Sequence, residues 1–179
     1  MYISKIILLF LVLSNFLMAN EALDYIKLTP KEEAFLRNTK IKVITSNSWA
    51  PINMYNDENQ LAGIAIDFWN KIKVNANINS EIKTAKDWNH VLDTIKNKEA
   101  DITIDTSYDR NKLDYANFTS SYISFPIAFA TLFDKRFIPN ASFLVGKKVA
   151  VGENYSSHNI LKEHFPDIDF VLVKNTKEA

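Results

Sequence analysis

The chain of 179 residues contains no cysteine. That absence excludes disulfides, a thiolate metal site, a cysteine nucleophile and a lipid-modified N-terminal cysteine. Glycine is nearly as scarce. Gly63, Gly146 and Gly152 are the whole complement and lie too far apart to build a phosphate-cradling loop, so dinucleotide and P-loop chemistry are not expected. No excess of one charge exists either: 21 basic residues balance 21 acidic ones, and no long basic run offers a nucleic-acid footprint. Neither HExxH nor GxSxG occurs, so these hydrolase motifs are missing. Of the three histidines, His158 and His164 stand six apart, on different sides of a helix, and His90 is remote, so a shared metal is not expected. No cofactor is implied.

What is present is a chain 47% apolar and 23% charged, ordinary for a globular protein and long enough for one domain with a sizeable core. Its first nineteen residues stand apart. Lys5 gives a positive start, Ile6 to Met18 is an apolar run broken only by Ser14 and Asn15, and Ala19 offers a small residue for cleavage. The run is shorter than the ~20 residues that span a bilayer. Residues 1–19 therefore read as a signal peptide, with the periplasm as destination and an uncleaved anchor as the alternative. Without them the net charge is −1.

The remainder alternates between strand and helix patterns. Thr29, Pro30 and Glu32 form a helix start with a capping box, predicting a short helix to about Arg37. Ile41 to Ser46 predicts the first core strand, and Ile52–Tyr55 with Leu61–Ile64 a hairpin around Asn56–Asn59. Apolar residues at helical spacing predict a helix from Gly63 to about Asn75. A second runs from Trp88 to Asn97, capped by Asp87, with Trp88, Val91, Leu92 and Ile95 on its inner face. Strands are expected at Ser80–Lys83, Asp101–Ile104 and, longer, Phe125–Phe133. Lys148–Val151, a helix near Ser157–His164, and Ile168–Val173 predict a final βαβ unit. This order implies an α/β fold with a largely parallel sheet.

The chemistry concentrates at strand ends, where open α/β sheets bind ligands. Trp49, in NSWAP after the first strand, is either an aromatic wall or a core tryptophan. Ser107, Arg110 and Lys112 follow the Asp101–Ile104 strand, and a hydroxyl with cations is a set that holds a carboxylate; a solvated helix start is the alternative.

Six strings carry a resemblance: LTPKEEAFLRNTKIKV, SWAP, GIAIDFW, WNHVLDTIKNKEADI, FTSSYISFP and LVGKKVAV, in that order. Together they resemble solute-binding protein family 3, the amino-acid-type periplasmic binding proteins, and in particular its sensor-linked branch. The resemblance runs from about Leu28 to Ala179. It implies a periplasmic binding protein-like type II fold with the first lobe and a partial second lobe. Residues 20–40 would be a lead-in segment with a short helix, 41–130 lobe one and 131–179 the start of lobe two, with the return crossing missing. The family's Ser-x-Thr-x-x-Arg anchor falls on Ser107, Asp109 and Lys112, so a lysine stands where an arginine usually grips the ligand's carboxylate. Tyr122 falls in the family's Phe-Thr-x-x-Tyr run. Tyr155 and Ser156 fall at a helix N-terminus where the family contacts ligand, a natural anion site.

The function so implied is periplasmic binding of a small polar or anionic, amino-acid-like metabolite. Its partners would be that ligand and either an ABC transporter permease or a fused or neighbouring signalling module, with no nucleic acid. The alternatives are a dehydratase-type enzyme using Asp105, Asp109 or Lys112, and a truncated, non-functional remnant.

Overall fold

The computed structural model describes residues 27–179; the expected signal peptide lies outside the described residues. Helix α1 (Pro30–Asn38) begins where its capping box places it: Thr29 Oγ1 accepts the Glu32 N–H, and the Glu32 carboxylate accepts the Thr29 N–H at 2.7 Å. Strand β1 (Ile41–Thr45) is the centre of a three-stranded parallel sheet, flanked by β4 (Ser80–Thr84) and β5 (Ile102–Thr103). Ile41 opposes Ser80 and Thr45 opposes Thr84 on one side, and Val43 opposes Ile102 on the other.

A central strand is covered on both faces, and the burial of β1 shows it. Ile41 and Val43 pack with Ile66 and Trp69 of α2 (Ile64–Asn75), whereas Ile44 packs with Trp88, Val91 and Leu92 of α3 (Trp88–Lys96). Asp87 caps α3, its carboxylate accepting the His90 N–H at 2.8 Å. Between β1 and α2 lies the expected hairpin, β2 (Met54–Tyr55) antiparallel to β3 (Leu61–Ala62). It is fastened at Gly63, where φ is +126° and the following amides of Ile64 and Ala65 donate to the carbonyls of Pro51 and Ile52 at 3.0 Å.

The second unit is smaller. Strands β6 (Lys148–Gly152) and β7 (Asp169–Val173) pair in parallel across α4 (Ser156–His164), preceded by a short 3-10 turn at Ala141–Leu144. Val171 and Leu172 remain exposed.

One expectation is corrected. Residues 125–133 form no strand, and Phe125, Ile127, Leu132 and Phe133 are exposed. The run has the β-prone, apolar composition of a strand, but a strand is defined by its partner, and none of the described strands pairs with this segment.

Candidate ligand-binding cleft

Polar residues gather where the C-terminal ends of β1 and β5 meet the second unit. After β5 the chain turns through a 3-10 helix at Arg110–Lys112, whose N-cap Asp109 accepts the Asn111 N–H at 3.0 Å. The turn directs Lys112 inward, where it is 5% exposed. Its Nζ lies 3.2 Å from Asp109 Oδ2 and donates to Ser156 Oγ at 2.9 Å, and it also stands 5.6 Å from the centroid of the Trp88 ring. Ser156 Oγ in turn donates to the Ser107 carbonyl at 3.3 Å. Asn159, one turn further along α4, donates to Asp109 Oδ2 at 2.8 Å.

The two units are thus joined by a charged, hydrogen-bonded clasp. A second set of contacts lies beside it at the start of α3. Trp88 Nε1 donates to the Asn154 carbonyl at 3.3 Å, Asn89 Nδ2 donates to Glu153 at 2.7 Å, and Asn154 Nδ2 donates to Asn89 Oδ1 at 2.8 Å. Asn154 makes these contacts from a left-handed backbone, φ +58°.

The electrostatics follow from burial. Desolvation pushes the Lys112 ammonium below its ordinary range, and the adjacent Asp109 charge and hydrogen bond resist that fall. Burial alone would raise Asp109, but hydrogen bonds from Asn159 and the Asn111 N–H, with the Lys112 charge, hold it below the usual carboxylate range. Desolvation raises Tyr155 and Tyr122, and the charge of Asp105 adds to both.

The expected site residues separate into groups. Ser107, Lys112 and Ser156 come together in the clasp, Ser107 through its carbonyl rather than its hydroxyl. Tyr155 precedes α4 and packs against the cluster that contains Trp88. Trp49 packs on the first core cluster and meets Phe125 edge-on, with ring centroids 5.6 Å apart. Tyr122 stacks on Phe68 at 4.4 Å and donates its hydroxyl to the Ile104 carbonyl at 2.6 Å. Arg110 is exposed and forms no ion pair among the described residues. Sequence reasoning missed Asn159, Asn89, Glu153 and Asn154, polar residues in loops and helix turns with no spacing signal to mark them.

An open groove of about 260 Å³ on the second unit, lined by His158, Lys162 and Phe170 among others, contains none of the expected site residues. Among the described residues no group of His, Asp and Glu is placed to hold a metal, and no helix is long and apolar enough to cross a membrane.

Over residues 41–178 the sequence matches the bacterial extracellular solute-binding proteins, family 3. The chain belongs to that family. The same fold also appears among solved structures. The periplasmic domain of BvgS from Bordetella pertussis superposes with a TM-score of 0.77 at 19% identity, covering 85% of this chain and 30% of that one. The VFT2 domain of BvgS alone gives 0.75 at 19% identity, covering 86% and 66%. A histidine kinase sensor domain with similarity to periplasmic binding proteins gives 0.65 at 18% identity, covering 80% and 62%. The chain therefore spans about two thirds or less of these relatives' lengths. No curated protein matches the sequence. The fold is periplasmic binding protein-like type II, and the described residues supply a first lobe and part of a second.

Proposed function

We propose that the chain binds a small polar or anionic, amino-acid-like metabolite in the periplasm, as the sensing part of a signalling protein. The observation that carries this reading is Lys112, a cation 5% exposed at the junction of the two lobes. Family 3 proteins bind solutes, and a buried ammonium facing a helix N-terminus is a place where a carboxylate is held by charge-assisted hydrogen bonds. In this reading Lys112, Ser107, Tyr155 and Ser156 supply the polar contacts, Trp49 and Tyr122 the aromatic wall, and Arg110 the exposed lip. Family membership and the signal peptide expected at residues 1–19 support the periplasmic address. The histidine kinase sensor domain among the structural relatives supports sensing over delivery to an ABC permease.

Binding is favoured over catalysis by family membership, since family 3 proteins bind solutes. The test is isothermal titration against a panel of amino acids and organic acids, repeated with Lys112→Met. A ligand whose affinity falls about ten- to a hundredfold in the variant fits the loss of one charged hydrogen bond. A folded protein that binds nothing in the panel, or binds equally well without Lys112, counts against the reading.

A further inference from the structure

The aromatic side of the cleft rests on a polar hub that the binding reading does not use. Asp105 is 3% exposed, and Asn53 and Thr45 are 0% exposed. Asp105 Oδ2 accepts from Thr45 Oγ1 at 3.0 Å and from Asn53 Nδ2, and Asp105 Oδ1 accepts from Thr103 Oγ1 at 2.9 Å. Asn53 turns its other end to Trp49. Its Oδ1 accepts the Trp49 backbone N–H at 3.0 Å, and the main chains of the two residues form an antiparallel bridge. The amide orientation is chemically fixed, because a flip would set its oxygen against a carboxylate and its NH2 against an N–H.

Carboxylate, amide and Trp49 N–H thus form a directed relay from the end of β5 to the loop after β1. The adjacent Ile104 carbonyl holds the Tyr122 hydroxyl, so the same strand end also fixes the second aromatic side chain. Replacing a buried polar network by an apolar filling of similar volume is often neutral or stabilising, whereas a fully satisfied network rigidifies its surroundings. We propose that Asp105 is a positioning residue: acting through Asn53, it sets the backbone of Trp49 and with it the aromatic wall of the cleft. That the wall meets a ligand rests on the binding reading above; the relay that sets the wall does not.

The relay can be tested without any ligand. Burial pushes the Asp105 carboxyl up to about 6, against the hydrogen bonds from Thr103 and Thr45. The titratable groups facing it are the Tyr122 and Tyr155 hydroxyls, and no ion pair reaches it among the described residues. Lowering the pH from about 7.5 to about 5 therefore protonates Asp105 while both tyrosines stay neutral. In NMR spectra of the whole chain, the Trp49 backbone amide is expected to shift with the midpoint of the Asp105 carboxyl carbon. In Asn53→Ala the Thr103 amide should still follow that midpoint, while the Trp49 amide no longer does and the Trp49–Phe125 ring contact weakens. A Trp49 amide that stays still while Asp105 titrates overturns the relay, and this measurement needs no variant. A Trp49–Phe125 contact unchanged in folded Asn53→Ala overturns it equally, wherever Asp105 titrates. Either result leaves the panel titration free to succeed or fail on its own.

Discussion

Lys112 and Ser156 are 44 residues apart in sequence, yet Nζ and Oγ lie 2.9 Å apart in a buried contact. That bond ties the turn after β5 to the first residue of α4, and is one of several that join the two lobes. Because Lys112 also carries the Asp109 ion pair at 3.2 Å, the charge that makes it a candidate anion grip is neutralised within the protein. A ligand carboxylate at this position would compete with Asp109 for the ammonium or take the donor it leaves over.

The pair should behave as a unit in stability measurements. Lys112→Met leaves Asp109 buried beside Asn159 without its cation, and Asp109→Asn leaves a buried ammonium without its anion. Each single variant should lose about 3 kcal/mol in urea unfolding. The double variant should lose less than the sum, with a coupling of about 1–3 kcal/mol. Additive losses would mean that the ion pair contributes nothing as a pair.

Asn89→Ala should loosen the lobes without harming either one. It removes the hydrogen bonds to Glu153 and Asn154 at 2.7 and 2.8 Å, a loss of about 1 kcal/mol in interlobe contact. Hydrogen exchange of amides 153–156 should speed up by roughly fivefold, while the β1 amides keep their protection.

Stability should depend on pH through Asp105, in the direction set by a raised carboxyl. The folded state holds this proton up to about pH 6, and an unperturbed aspartate releases it near 3.8. Between those values the folded chain binds more protons than the unfolded one, so stability falls as pH rises across the window. The contribution is on the order of 3 kcal/mol. Denaturation curves at a series of pH values should lose this slope in Asp105→Asn.

Gly63→Ala should be poorly tolerated. An added Cβ would lie 2.4 Å from the Ile52 carbonyl oxygen and 2.8 Å from that of Pro51, at a φ of +126° that side chains rarely adopt. Those two carbonyls accept the first amides of α2, so relieving the clash breaks the start of the helix. The expected loss is about 2 kcal/mol or more, read as a lowered melting temperature.

Local signals were legible and correctly placed. The capping box at Thr29 and Glu32, the Asp87 cap and the apolar stripe of α3 each fixed an element within a residue or two, because caps and periodicity act within one or two turns of chain. The run at 125–133 carried a strand composition and formed none, because pairing depends on a partner that no local pattern reports. The polar turn after β5 was visible as a turn with a hydroxyl and cations.

By itself, then, the sequence determined the order of elements outside the 125–133 run, the α/β character and the position of the polar turn, since these follow from short-range sterics, capping and hydrophobic period. Only the tertiary structure decided which polar groups face one another. It buried Lys112 against Asp109 and Ser156, left Arg110 at the surface, and made Asp105, Asn53 and Thr45 one network. Asp109 is only three residues from Lys112, but Ser156 is 44 away, and Asp105 lies 52 and 60 residues from Asn53 and Thr45. Whether a charge is free or spent depends on desolvation and on such distant neighbours, and neither is written in the local chain.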